Sequence, residues 1–217
     1  MKHSSIYYSV GPLLYCPGNR ETIAASVIQQ KLGSRFSLSL CLEDTISDSH
    51  VEEAERCLTS SIRQIRESRE SLSFYVPKIF IRVRYPEQIT RMRTMLGDNR
   101  QLISGYILPK FAPENADAYI QEIIAANEQS DCPVYMMPIY ESACMTDLRY
   151  RYDILYELKE KLSAVEELVL NIRVGGNDLC NLFSFRRHEN ESIHKIRPVS
   201  DIFSVFLTVY GMYYVVS

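Results

Sequence analysis

No run of apolar residues in this sequence approaches the ~20 needed to cross a bilayer, so no membrane span is expected. Lys and Arg never gather into a block. With a formal charge of −3, nothing has the footprint of a nucleic-acid-binding arm. None of the six cysteines stands in a Cys-x-x-Cys pair, which argues against a zinc ribbon or a dithiol redox centre. Most lie inside apolar runs, where a free thiol behaves as a small core residue. The opening Met1-Lys2-His3-Ser4-Ser5 lacks the charged start, apolar run and small-residue cleavage site of a signal peptide. The expectation is a cytoplasmic protein in a reducing compartment.

Several chemistry-bearing motifs are missing too. No Gly-x-Gly-x-x-Gly follows an apolar run and no Gly-x-x-x-x-Gly-Lys-Ser/Thr is present, so dinucleotide and P-loop readings have no support. There is no Gly-x-Ser-x-Gly, which argues against a serine hydrolase. His3 and His50 are isolated. His188-Glu189 and His194 lie in a polar stretch without metalloprotease spacing and read as solvated loop. The fifteen tyrosines are scattered rather than arranged as a stacking platform, and Met136-Met137 reads as core.

What is present is a globular composition, 46% apolar and 24% charged, with a regular rhythm. Short strand-like runs cover residues 12–16, 36–42, 78–84, 106–108, 134–140, 168–174 and 213–216. Helical patterns fill 20–32, 47–70, 86–96, 113–126, 146–162 and 199–210, several of them with Pro at the start or Gly at the stop. Near-continuous apolar strands alternating with helices imply a parallel sheet covered by helices. Seven such units favour an α/β fold of the TIM-type β/α-barrel kind, with an open doubly wound sheet as the alternative. At 217 residues the chain is shorter than the ~250 of a complete eight-stranded barrel. The expectation is therefore one barrel domain over residues 1–217, truncated after strand seven and lacking the eighth strand and helix. The polar stretch 184–197 is the longest irregular segment.

A β/α-barrel builds its active site at the C-terminal ends of its strands. Those ends offer Glu43 and Asp44 after strand two, Arg82 and Arg84 at strand three, Lys110 after strand four, Glu141 after strand five and Asp178 after strand six. A few carboxylate oxygens, completed by water and substrate, suit Mg²⁺, and a guanidinium nearby suits a substrate carboxylate. Each residue also has a plainer reading. Charges follow buried strands where the chain reaches solvent, Glu43-Asp44 suits the start of a helix, and Asp178 suits a cap after Gly175-Gly176.

The succession Leu13-Leu14-Tyr15-Cys16-Pro17-Gly18-Asn19, Leu42-Glu43-Asp44, Arg82-Val83-Arg84, Leu108-Pro109-Lys110, Tyr140-Glu141-Ser142 and Gly175-Gly176-Asn177-Asp178 resembles the citrate lyase β-subunit-like branch of the HpcH/HpaI aldolase superfamily. The motifs come in that family's order, each at a strand end. The resemblance implies a β/α-barrel, a homo-oligomer that is a trimer or larger, and an Mg²⁺-dependent lyase or its synthetic reverse. Such an enzyme cleaves or forms a carbon–carbon bond in a β-hydroxy carboxylic acid or its thioester. It implies Glu141 and Asp178 as metal ligands, Arg82 holding a substrate carboxylate, and Glu43 and Asp44 binding the metal's waters. Arg84 and Lys110 are the further substrate-binding candidates.

Three positions depart from the family pattern. Gly11 stands where relatives carry an Arg associated with the thioester cofactor, Cys41 replaces the first acid of the Asp-Leu-Glu-Asp motif, and Arg84 replaces the Asn of Arg-Val-Asn. These departures argue against a CoA thioester and for a more anionic small-molecule carboxylate. In them the chain resembles a divergent branch found with tellurium-resistance gene clusters. Thioester hydrolysis on the same scaffold, or a non-catalytic barrel serving an assembly, are the alternatives.

Overall fold

The computed structural model describes residues 4–217, so the expectations for Met1, Lys2 and His3 lie outside it. Six strands alternate with helices: β1 (Leu13–Pro17), α1 (Ile23–Ile28), β2 (Ser37–Cys41), α2 (Val51–Ser68), β3 (Ile79–Arg82), α3 (Gln88–Leu96), β4 (Ile103–Leu108), α4 (Pro113–Glu128), β5 (Tyr135–Tyr140), α5 (Arg151–Ser163), β6 (Arg173–Val174), α6 (Gly176–Leu182) and α7 (Arg197–Tyr210). All neighbouring strands are parallel and they pair strictly in chain order, β1 to β6. A doubly wound sheet reverses its strand order part-way. This one does not, and it follows the progression of a β/α-barrel.

Both faces of the sheet are covered. One face carries Leu38, Leu40, Ile79, Ile81, Tyr106, Met136 and Tyr140, packed against the helices. The other is the barrel interior, where Phe80, Ile107, Met137, Ile139 and Leu170 meet Val10, with Ile6, Tyr7 and Leu13 beside them. The turn Ser5–Tyr8 thus closes the bottom of the barrel, and Ser37 Oγ donates to the Val10 carbonyl at 2.6 Å to hold it there. The helices seat because their apolar stripes face the sheet: Ala54, Leu58, Ile62 and Ile65 of α2 are fully covered. A buried Glu55 on the same helix accepts from Gln88 Nε2 and Arg91 Nε, each at 2.8 Å, tying α2 to α3.

Several elements differ from the pattern in the sequence. β4 begins at Ile103 rather than residue 106: Ile103 and Gly105 both pair with β3, and Ser104 is bulged out between them. β6 is only two residues long. Met136 pairs with Val169 but Ile139 with Arg173, so one extra residue is accommodated between them. The expected seventh strand is one bridge, Ile172 to Val216, carried by Ile172 N to Val215 O (2.8 Å) and Ser217 N to Ile172 O (2.9 Å). The expected helix over 146–162 starts at Arg151, since Ala143–Thr146 forms a single tight turn, and the helix over 20–32 keeps only its middle. Gly176–Leu182 is a short helix with Gly175 at its N-cap, and Asp178 lies in its first turn rather than at the cap.

Gly105 shows how tightly β4 and β5 approach. A Cβ there would lie 2.7 Å from the Tyr135 carbonyl carbon and press on its oxygen. Backbone cannot yield as a flexible side chain does. Gly105→Ala is expected to cost more than about 2 kcal/mol, read from the urea midpoint at unchanged slope.

Candidate active site

The strand tops of β2 to β5 meet around one guanidinium nitrogen. Arg82 closes β3 and points to the interior side, in register with Cys41 on one neighbour and Ile107 on the other. Its Nη2 lies 2.6 Å from Glu43 Oε2, 2.9 Å from Asp44 Oδ2 and 3.3 Å from Glu141 Oε1. Lys110 Nζ takes the other oxygen of Glu43 at 2.6 Å and reaches Asp44 Oδ1 at 3.6 Å. The Lys110 backbone, in the left-handed region at φ 51°, turns its N–H onto Glu141 Oε1 at 3.1 Å. Five of the expected residues are therefore drawn together directly: Glu43, Asp44, Arg82, Lys110 and Glu141.

Asp178 joins from the other side. Both contacts to Glu141 fall on Oε1, and Oε2 faces Gly175. A Cβ on Gly175 would collide with Glu141 Oε2, sit 2.6 Å from Glu141 Cβ and lie 3.2 Å from Asp178 Oδ2. The glycine leaves open a cradle that both carboxylates face. A cleft of about 430 Å³, lined by Lys110, Glu141, Ser142, Asp178 and Asn181 among others, opens at this point.

The electrostatics follow from burial and the count of charges. Burial pushes the Glu141 carboxyl up to about 7. Asp178 and Glu43 push the same way, against Arg82 and the Lys110 N–H. For Asp44 burial acts upward too, but the Glu43 hydrogen bond, Arg82 and Lys110 outweigh it and hold the acid below its ordinary range. Lys110 is held above its usual value, chiefly by its hydrogen bond to Glu43. Burial alone would lower Arg82, but Glu43, Glu141, Cys41 and Asp44 raise it instead. Glu43, Asp44 and Glu141 thus share two directly bonded cations.

These residues fit Mg²⁺. Among the described residues no group of three His, Cys, Asp or Glu side chains is gathered to hold a metal by itself. Mg²⁺ does not require one, being commonly bound by one or two carboxylates with water and substrate oxygens completing its shell. Glu141 and Asp178 would be the protein ligands, with Glu43 and Asp44 linked to Glu141 through Arg82.

Arg84 stands outside this group. Its Nη1 donates to the carbonyls of Leu42 (3.1 Å), Glu43 (3.1 Å) and Ile46 (2.9 Å), and its Nη2 pairs with Asp48. The guanidinium is used in shaping the loop after β2, not in the cleft beside Arg82. Cys41 is buried on the interior side, next to Arg82, and Gly11 is exposed at φ 57°. All six cysteines are free, and His188, His194 and His50 lie on exposed segments as anticipated. One inward-facing residue went unnoticed in the sequence: Arg173, in register with Ile139 on β6. Strand alternation would have pointed to it, had β6 not been shortened by its bulge.

A family model described as a C–C bond lyase of the TIM-barrel fold matches residues 4–217. The chain belongs to this C–C bond lyase family. It is thus a lyase-type enzyme on a TIM-barrel scaffold, as the motif order implied. No curated protein sequence matches it. Among solved structures, CitE from Mycobacterium tuberculosis in complex with magnesium and acetoacetate is 12% identical over 97% of this chain and 72% of that one, with a TM-score of 0.56. The citrate lyase beta subunit from the same organism, complexed with oxaloacetate and magnesium, is 13% identical over 97% of this chain and 78% of that one, at a TM-score of 0.53. RipC from Yersinia pestis is 15% identical over 95% and 74%, at 0.56. At such identities the likeness establishes the fold. No described helix of this family member is long and apolar enough to cross a membrane.

Two outcomes follow for this lyase. A carboxyl raised from 4.5 to about 7 on folding gives stability that is complete below pH 4.5 and lost as pH rises through 7. Glu141→Gln cannot ionise and keeps its acceptor for Arg82 and Lys110. In EDTA-treated protein it is expected to raise Tm by roughly 3 °C or more at pH 8 and to change little at pH 4.5. Arg84→Ala is expected to cost about 1–3 kcal/mol of stability, since several loop carbonyls lose their donor. Calorimetry should find Mg²⁺ affinity unchanged in that variant.

Proposed function

We propose that this chain is an Mg²⁺-dependent lyase that cleaves, or in reverse forms, a carbon–carbon bond in a small β-hydroxy carboxylic acid. The observation that carries the reading is the cradle over Gly175, where Glu141 Oε2 and Asp178 Oδ2 converge without a side chain between them. The neighbours complexed with magnesium and with acetoacetate or oxaloacetate support the same chemistry for the barrel mouth. Bound there, the metal supplies Lewis acidity to substrate oxygens and to the enolate charge that develops on bond cleavage.

The chain's own residues divide the remaining work. Glu141 and Asp178 hold the cation, and the carboxyl of Glu141 is raised first by burial and then by the neighbouring Asp178 and Glu43. Arg82 fixes Glu43, Asp44 and Glu141 relative to one another, so that the metal's water-binding acids and its ligand move as one unit. Lys110 is anchored by Glu43 but remains more than half exposed, and it offers Nζ donors to a substrate carboxylate in the cleft. Gly11 itself brings no cation to the place where the family pattern has an Arg associated with the thioester cofactor, which favours a free acid over a CoA thioester. One barrel domain and assembly as a trimer or larger homo-oligomer complete the reading, the latter to be read by light scattering.

Isothermal calorimetry with Mg²⁺ tests the site. Glu141→Ala and Asp178→Ala are each expected to abolish measurable binding, and unchanged binding in both would sink the metal assignment. A panel of free β-hydroxy acids and their thioesters, scored for Mg²⁺-dependent release of a carbonyl product, tests the reaction.

A further inference from the structure

The barrel mouth holds a cation that the motifs leave unused. Arg173 sits on β6, two residues before the Gly175 cradle. Its Cα is in register with Ile139, whose side chain belongs to the barrel interior, so Arg173 faces inward as well. Its Cζ lies 5.9 Å from the centre of the Tyr15 ring, and Arg82 Cζ lies 6.0 Å from the same ring. Two guanidinium groups thus flank one aromatic side chain inside the mouth, an arrangement that cation–π attraction supports.

The two differ in what they hold. Arg82 is engaged by three carboxylates. Arg84 is committed to a loop and Lys110 to Glu43. Among the described residues the Arg173 side chain has neither an ion pair nor a hydrogen-bond partner, though it is half-buried. A partly buried guanidinium without an anion forgoes interactions that its fork of donors is shaped to make. Its positive field is nonetheless felt: burial raises the Tyr15 phenol, and Arg173 is foremost among the groups opposing that rise. In the strand direction Arg173 precedes the level of Glu141 by two residues on the neighbouring strand, roughly 6–7 Å at the usual rise.

We propose that Arg173 is a specificity-determining residue that binds the second carboxylate of a short-chain dicarboxylate, below the metal pair and beside Tyr15. This rests on the function proposed above, because Glu141 and Asp178 provide the metal end of the substrate. It relocates the extra positive charge of the mouth from Arg84 to Arg173, and it makes the preferred substrate a diacid or triacid.

The test uses the full chain, with succinate and acetate as probes, titrated by calorimetry with and without saturating Mg²⁺. Wild type should prefer succinate to acetate. Arg173→Met should weaken succinate about tenfold or more, alter acetate by less than about twofold, and leave Mg²⁺ affinity and the circular dichroism spectrum unchanged. Arg173→Lys should recover part of the succinate affinity by restoring charge without the bidentate fork. Equal weakening of both acids, an unaffected succinate affinity in Arg173→Met, or a wild type that does not prefer succinate would each overturn the proposal. The Mg²⁺ titration of wild type separates the two readings: absent metal binding overturns the metal site, while the succinate preference without Mg²⁺ still decides the role of Arg173.

Discussion

The contact of Arg82 Nη2 with three carboxylates is the constraint on which the top of this barrel depends. Glu43 and Glu141 are almost completely buried, and a buried carboxylate without a counter-charge is prohibitively costly. One guanidinium, helped by Lys110, makes both tolerable. The acids come from the loops after β2 and β5, while Arg82 and Lys110 come from β3 and β4, so the same ion cluster stitches four strand ends together. Carboxylates outnumber the cations in direct contact with them, and Glu141 and Asp178 are the two acids that line the cleft.

Below the ion cluster the interior is apolar. Phe80, Ile107, Met137 and Ile139 fill it, and the turn carrying Ile6 and Tyr7 closes its lower end. This layer gives the polar top a low-dielectric floor, which strengthens every charge interaction above it. The division is a direct product of strand alternation. At alternate positions of the same sheet, Leu40, Ile81, Tyr106 and Met136 point the opposite way into the helix layer. The site's chemistry and the fold's stability are therefore supplied by opposite faces of the same strands.

The three arginines of the region show how far residue type falls short of role. Arg82 and Arg84 are two residues apart and of the same type. Past the end of β3 the chain turns, and the second guanidinium finds the carbonyls of Leu42, Glu43 and Ile46 before it can reach the mouth. Arg173, with no motif to mark it, is carried inward by its strand register, as Arg82 is.

Much of the architecture was legible in the chain itself. Apolar strands alternating with amphipathic helices favoured a parallel α/β barrel over an open sheet, and strand-end position pointed to the acids and cations that gather, Arg84 excepted, because hydrophobic period and strand polarity are local properties. What only the tertiary structure decided were the matters of long-range register. The bulge before Arg173, the short β6, the seventh strand reduced to one bridge, and the turn ahead of α5 depend on how neighbouring strands and loops meet. So does the convergence of Glu141 and Asp178, residues 37 positions apart in sequence, over a glycine whose missing side chain is significant only once both carboxylates are beside it. Local periodicity encodes which face a residue prefers; the direction of a guanidinium past a strand end, and the space left by a glycine, are settled by partners distant in the chain.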